Sequence, residues 1–176
     1  TSVDGLTADV VGDTISLTAT LGGTIGGANA LQIDSTTSVS AITTDAAINL
    51  LETSGTLTVA LAGISSGTGA ITLTAADIAI PNANSVTGST TIRLQPLADG
   101  DAISVGTGAA AFLLTQTDID GLTEGFTNIH IGRTTGSHAI TIEDASFRDS
   151  VTFWSQGLLP VPGSVAITDG VDLNTR

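Results

Sequence analysis

At 176 residues the chain is long enough for one substantial domain, yet only 12% of it is charged, 3% is aromatic, and Cys, Met, Tyr and Lys are absent. A net charge of -13 with four arginines in all excludes a binder of nucleic acid or anionic membrane, since phosphate recognition needs clustered Lys and Arg. Zero Cys excludes a disulfide framework and any Cys-based metal site or nucleophile, and a 41% hydrophobic content excludes an intrinsically disordered chain.

The core must be built from small β-branched residues, which are stiff at χ1 and favour strands, with Gly, Asn and Asp supplying turns. The elements follow in chain order as pairs of apolar residues separated by one other. They are Ile15/Leu17, Leu31/Ile33, Ile48/Leu50, Leu57/Val59, Ile71/Leu73, Ile78/Ile80, Ile92/Leu94 and Ile103/Val105 in the first two thirds. Ile129/Ile131, Ile140/Ile142, Val151/Phe153, Val165/Ile167 and Val171/Leu173 follow. Period-two alternation sends each pair to one face of a short strand and the intervening residue to the other.

Between these strands, "LLTQTDIDGLTEGF" (113–126) departs from the pattern. Thr117 as N-cap, Asp118 and Asp120 in the first turn, and Ile119 and Leu122 at helical spacing predict a short helical turn over 117–123. "LLPVPGS" (158–164) reads as a loop stiffened by two prolines.

Tight Asn-Gly or Asp-Gly hairpins are scarce, which counts against an antiparallel meander. A coil in which each strand stacks on its equivalent one turn later accounts for short strands, variable turns and small inward residues. The expectation is an all-β parallel β-solenoid over residues 1–176 as a single domain. At roughly twenty residues per turn it makes about eight or nine irregular turns. A two-sheet β-sandwich is the alternative. Strand-like sequence at both termini predicts ends without caps, open to pairing with identical subunits or flanking solenoid modules.

The order of motifs carries a resemblance. "GTIGGANALQI", then "AINLLETSGTLTVALAGISSGTGAITLTAADI", then "LTQTDIDGLTEGFTNIHIGRTTGSHAITIEDASFRDSVTFWS" resembles modules of large bacterial surface proteins of the filamentous-haemagglutinin-like type. The resemblance runs from about Gly22 to Ser155. It implies a right-handed parallel β-helix, extracellular or on the bacterial cell surface. The implied role is structural or adhesive, usually within a much longer polypeptide.

The stretch Gly125–Ser155 holds both histidines, the tryptophan and two of the four arginines, the residue types a reactive site would use. His130, between inward Ile129 and Ile131, is expected to face solvent, and so is His138 in a turn. A metal or acid-base site needs further ligands converging on them, with Glu143, Asp144 and Asp149 the nearest in sequence. Arg133 and Arg148 are expected to pair with those same carboxylates.

A polysaccharide-acting enzyme would show a groove lined by Trp154, Arg148 and carboxylates. "TDIDG" fails the calcium-loop spacing, because Gly121 follows the second Asp directly. Thr-x-Thr at Thr18/Thr20, Thr56/Thr58 and Thr72/Thr74 is too unevenly spaced for an ice-binding array.

The resulting expectation has no catalytic, cofactor or metal residues and at most loosely bound calcium. The function expected is a structural, self-assembling fibre or shaft module. The alternative is an adhesin segment that binds a host or surface glycan.

Overall fold

The computed structural model describes residues 7–157 and the backbone of 165–167 and 173–175. In chain order the strands begin with β1 (Val10–Ala19), β2 (Leu31–Thr43), β3 (Ile48–Glu52), β4 (Thr56–Ser65), β5 (Ile71–Ala75) and β6 (Asp77–Ala79). They continue with β7 (Val86–Thr87), β8 (Thr91–Pro96), β9 (Ile103–Gly106) and β10 (Phe112–Leu114). After helix α1 (Gln116–Asp120) come β11 (Asn128–Gly132), β12 (Ile140–Glu143), β13 (Ala145–Phe147), β14 (Val151–Trp154), β15 (Val165–Ile167) and β16 (Leu173–Thr175).

Every ladder among the described residues is parallel, including those between consecutive strands such as β1 and β2, and most neighbouring strands are non-consecutive in sequence. That is the signature of a coil and not of hairpins, so the chain is a β-solenoid and the sandwich alternative is excluded. The principal face stacks β3, β5, β8, β11, β14 and β16 in that order.

In that stack identical or similar side chains lie directly above one another. Ile48, Ile71, Ile92, Ile129 and Val151 form one inward ladder, and Leu50, Leu73, Leu94, Ile131 and Phe153 form the next. All ten side chains are buried. Each fully buried aliphatic side chain contributes roughly 1.5–3 kcal/mol, so alternation along a strand becomes a continuous core along the coil axis.

The eleven-residue spacing from Ile129 to Ile140 and from Ile140 to Val151 is half a turn. Ile129 stacks on Val151 while Ile140, midway between them, stacks on Ile103 in a second sheet made of β10, β9 and β12. The coil has about six turns, not the eight or nine expected. Part of the reason is one long turn. From Ile92 to its partner Ile129 the chain uses 37 residues, against 21 from Ile71 to Ile92. The extra length holds β9, β10 and α1. In it, β10 pairs with β9 only nine residues back, and Leu122 bridges to Val86.

Helix α1 starts earlier than the expected turn. Thr115, not Thr117, is the N-cap, because Thr115 and Asp118 stand three apart and close a capping box. The Asp118 backbone N–H donates to Thr115 Oγ1, and the Thr115 N–H to Asp118 Oδ2 at 2.8 Å.

Two glycines are fixed by close backbone approach. Gly106 (φ +94°) would place a Cβ 1.6 Å from the Glu143 carbonyl oxygen, and Gly132 (φ +97°) 2.3 Å from that of Trp154. No L-residue with a side chain fits either site without moving the neighbouring turn.

The Leu158–Ser164 loop and the expected bare ends at the termini lie outside the described residues, as do the Val165/Ile167 and Val171/Leu173 side chains.

Candidate functional site

The outward positions of β8, β11 and β14 lie between the inward ladders, so the same register that stacks the core stacks them too. Thr72 lies opposite Arg93, Arg93 opposite His130, and His130 opposite Thr152. One step further along, Trp154 faces Gly132, which has no side chain. The indole therefore reaches back across the sheet. Its ring lies 4.1 Å from that of His130, tilted by 42°, and 4.3 Å from the guanidinium carbon of Arg93. Such a cation over an indole face is worth about 0.5–2 kcal/mol.

Arg93 is the most unusual member of this group. Among the described residues Arg133 pairs with Asp99, and Arg148 approaches Asp120 at 3.8 Å. Arg93 meets no carboxylate there, and its Nε is buried without a hydrogen-bond partner. Burial without a compensating anion holds the guanidinium below its ordinary pKa.

His130 is half-buried on the outer face, covered by the indole rather than open to water. His138 corrects the expectation of a solvent-facing ring outright: it is 1% exposed. Its Nδ1 faces the Asp99 carbonyl oxygen at 3.2 Å and its Nε2 that of Trp154 at 2.9 Å. The closeness of Gly132 and Gly136 leaves room for the ring. His138 thus ties two turns together, and the two histidines do not converge.

The arginines also differ from expectation. Arg133 reaches neither Glu143, Asp144 nor Asp149. Its Nε pairs with Asp99 and its Nη1 donates to the carbonyls of Pro96 and Leu97, at 3.1 and 3.3 Å. Arg148 bonds Asn84 and approaches Asp120. The groove of Trp154, Arg148 and carboxylates does not form, because the indole joins Arg93 and His130 instead.

The acidic candidates have structural partners. Asp149 accepts from the backbone N–H groups of Gly125 and Phe126, and Asp118 from those of Thr115 and Ile80. Among the described residues no three His, Asp or Glu side chains are arranged to hold a metal ion. No described helix is long and apolar enough to cross a membrane. The Thr-x-Thr pairs do not stack on each other. Thr72 lies between Asn49 and Arg93, Thr56 lies beside Asp77, and Thr74 is 3% exposed.

Sequence reasoning passed over Arg93, which looked like one polar residue between Ile92 and Leu94. Its meeting with His130 depends on the 37-residue turn, whose length no local pattern reveals. No protein family, curated protein or solved structure matches the chain.

Proposed function

We propose that the chain is a structural β-solenoid module, extended end to end by pairing of its terminal strands into a fibre or the shaft of a larger surface polypeptide. One observation carries this reading. Strand β1 pairs with β2 alone among the described residues, so the other edge of this ten-residue strand has no described partner. An open edge of unpaired N–H and C=O groups is a template for another strand. Apolar residues lie beside that edge: Val11 is 71% exposed and Leu21 is 100% exposed. The filamentous-haemagglutinin-like order of motifs supports the same reading and suggests an extracellular, bacterial setting.

A contact from the edge of one copy to the far end of the next is heterologous, so it propagates unless it closes into a ring. The partners are then identical subunits or flanking solenoid modules. Size-exclusion chromatography with light scattering and negative-stain microscopy tests this. The expected outcome is rods that lengthen with concentration and shorten when Val11→Lys and Thr18→Lys place charge along β1. Monodisperse monomers at high concentration would sink the self-assembly reading.

A further inference from the structure

We infer that the outer face around Arg93, His130 and Trp154 is a binding site for a singly acidic sugar, a pyranose carrying one carboxylate. This inference is independent of end-to-end assembly.

Three observations carry it. First, Arg93 is the only described arginine with no carboxylate beside it, in a chain whose net charge is -13. With so many acidic side chains available, a half-buried guanidinium lacking one is positioned for an anion from outside. Second, the only tryptophan of the chain lies over that guanidinium, and Gly132 opposite it leaves space for the ring to lie across the strands. An aromatic face packs against the C–H surface of a pyranose, while the guanidinium fork takes a carboxylate through two parallel N–H···O bonds.

Third, the flanking outward residues are hydroxyl and amide side chains. Thr72 continues the Arg93–His130 row and Asn49 follows Thr72, both partly exposed. These groups suit sugar hydroxyls. The overall negative charge selects against polyanions, so the ligand fits best as one acidic residue on an otherwise neutral glycan.

The test uses the intrinsic fluorescence of the unmodified chain, which reports Trp154 alone because there is no second Trp and no Tyr. Methyl galacturonoside is titrated against methyl galactoside, which replaces the carboxylate by a hydroxymethyl group, and against acetate, which carries the charge without the ring. The expected result is a saturable change with the uronoside, at least about tenfold weaker with either control.

Arg93→Gln is expected to abolish the response, and Arg93→Lys, which keeps the charge but loses the fork, to weaken it. Circular dichroism and melting of both variants separate lost binding from lost fold, and the lysine variant carries the test if the glutamine variant unfolds. Equal responses to uronoside and galactoside, equal responses to uronoside and acetate, an unchanged folded Arg93 variant, or no response at all would each overturn the proposal.

Discussion

The carboxylate of Glu52 is fully buried inside the coil, and one of its oxygens accepts both the backbone N–H and the hydroxyl of Ser35, at 3.1 and 2.7 Å. Glu52 follows Ile48 and Leu50 at the same alternation and lies opposite Ile33, so it occupies a position the core pattern reserves for an apolar side chain. Ser35 is what makes that position tolerable. Ser35→Ala is expected to cost about 1–3 kcal/mol, because it leaves a buried acceptor short of a donor. The double variant Ser35→Ala with Glu52→Leu is expected to recover only part of that loss, since it removes the buried carboxylate but leaves the residue-35 backbone N–H without its acceptor. Urea unfolding of the three proteins checks it. A double variant as unstable as the single one would contradict the argument.

Asp77 opens β6 and meets the inserted segment, where it accepts the Leu113 backbone N–H at 3.0 Å. Desolvation raises its pKa above the ordinary carboxylate value, with a smaller contribution from Asp118, and the backbone bonds offset this only in part. The folded state therefore holds the proton more tightly than the unfolded chain. That stabilisation is complete below the unfolded pKa and is lost as pH rises through the raised folded value. Asp77→Asn keeps the acceptor and removes the charge. It should melt higher than the parent near neutral pH, because the variant has no buried charge to desolvate. The advantage should shrink in acid. A constant difference across the pH series would argue against this cause.

His138 bridges the carbonyls of Asp99 and Trp154, and its own carbonyl accepts the Ser155 hydroxyl. A neutral ring donates to one of the two carbonyls and a doubly protonated ring to both. The Asp99–Arg133 ion pair lies beside it, and Asp99 also accepts the Ser137 backbone N–H. His138→Phe is expected to destabilise by about 1–3 kcal/mol, because bulk is kept while at least one buried carbonyl loses its donor. Hydrogen exchange should localise the damage. The amides of Ser137 and Gln156, bonded to Asp99 and Gly136, should exchange faster while those of β5 and β8 stay protected.

Asp149 holds the bend before β11 by accepting from the Gly125 N–H at 3.0 Å and the Phe126 N–H at 3.0 Å. Phe126 is buried, so this bend sets the position of a core ring. Asp149→Ala should cost about 1–3 kcal/mol and Asp149→Asn about half as much, because the amide keeps one acceptor oxygen. Thermal melts of both variants check the order. A reversed order would mean that the loop is held by something other than these bonds.

The strands were legible in the sequence because their signal is local. Ile92 and Leu94, or Ile129 and Ile131, announce an inward face through alternation alone, and the side chains lie where that alternation puts them. The helical turn was legible in kind, but its cap was misplaced by two residues. Thr115 and Thr117 are equally good caps by type, and only the reciprocal bonds with Asp118 distinguish them. The partners of Arg133 and Arg148 were not legible, because proximity in sequence pointed to Glu143, Asp144 and Asp149. In a coil the neighbours of an outward side chain lie one or more turns away: Asp99 is reached across the long turn and Asn84 across 64 residues.

Composition and periodicity by themselves determined an all-β coil with an aliphatic core, since small β-branched residues at period two have few other ways to leave water. Only the tertiary structure decided what stands beside what on the outside. A pair such as Arg93 and His130 is set by the register between turns, and register depends on the length of every intervening loop. That is why Gly125–Ser155, which reads as a cluster of reactive side chains along the chain, separates in space. Asp149 holds a bend, His138 ties two turns together, and Trp154 turns back over Gly132 to cover an arginine from two turns earlier.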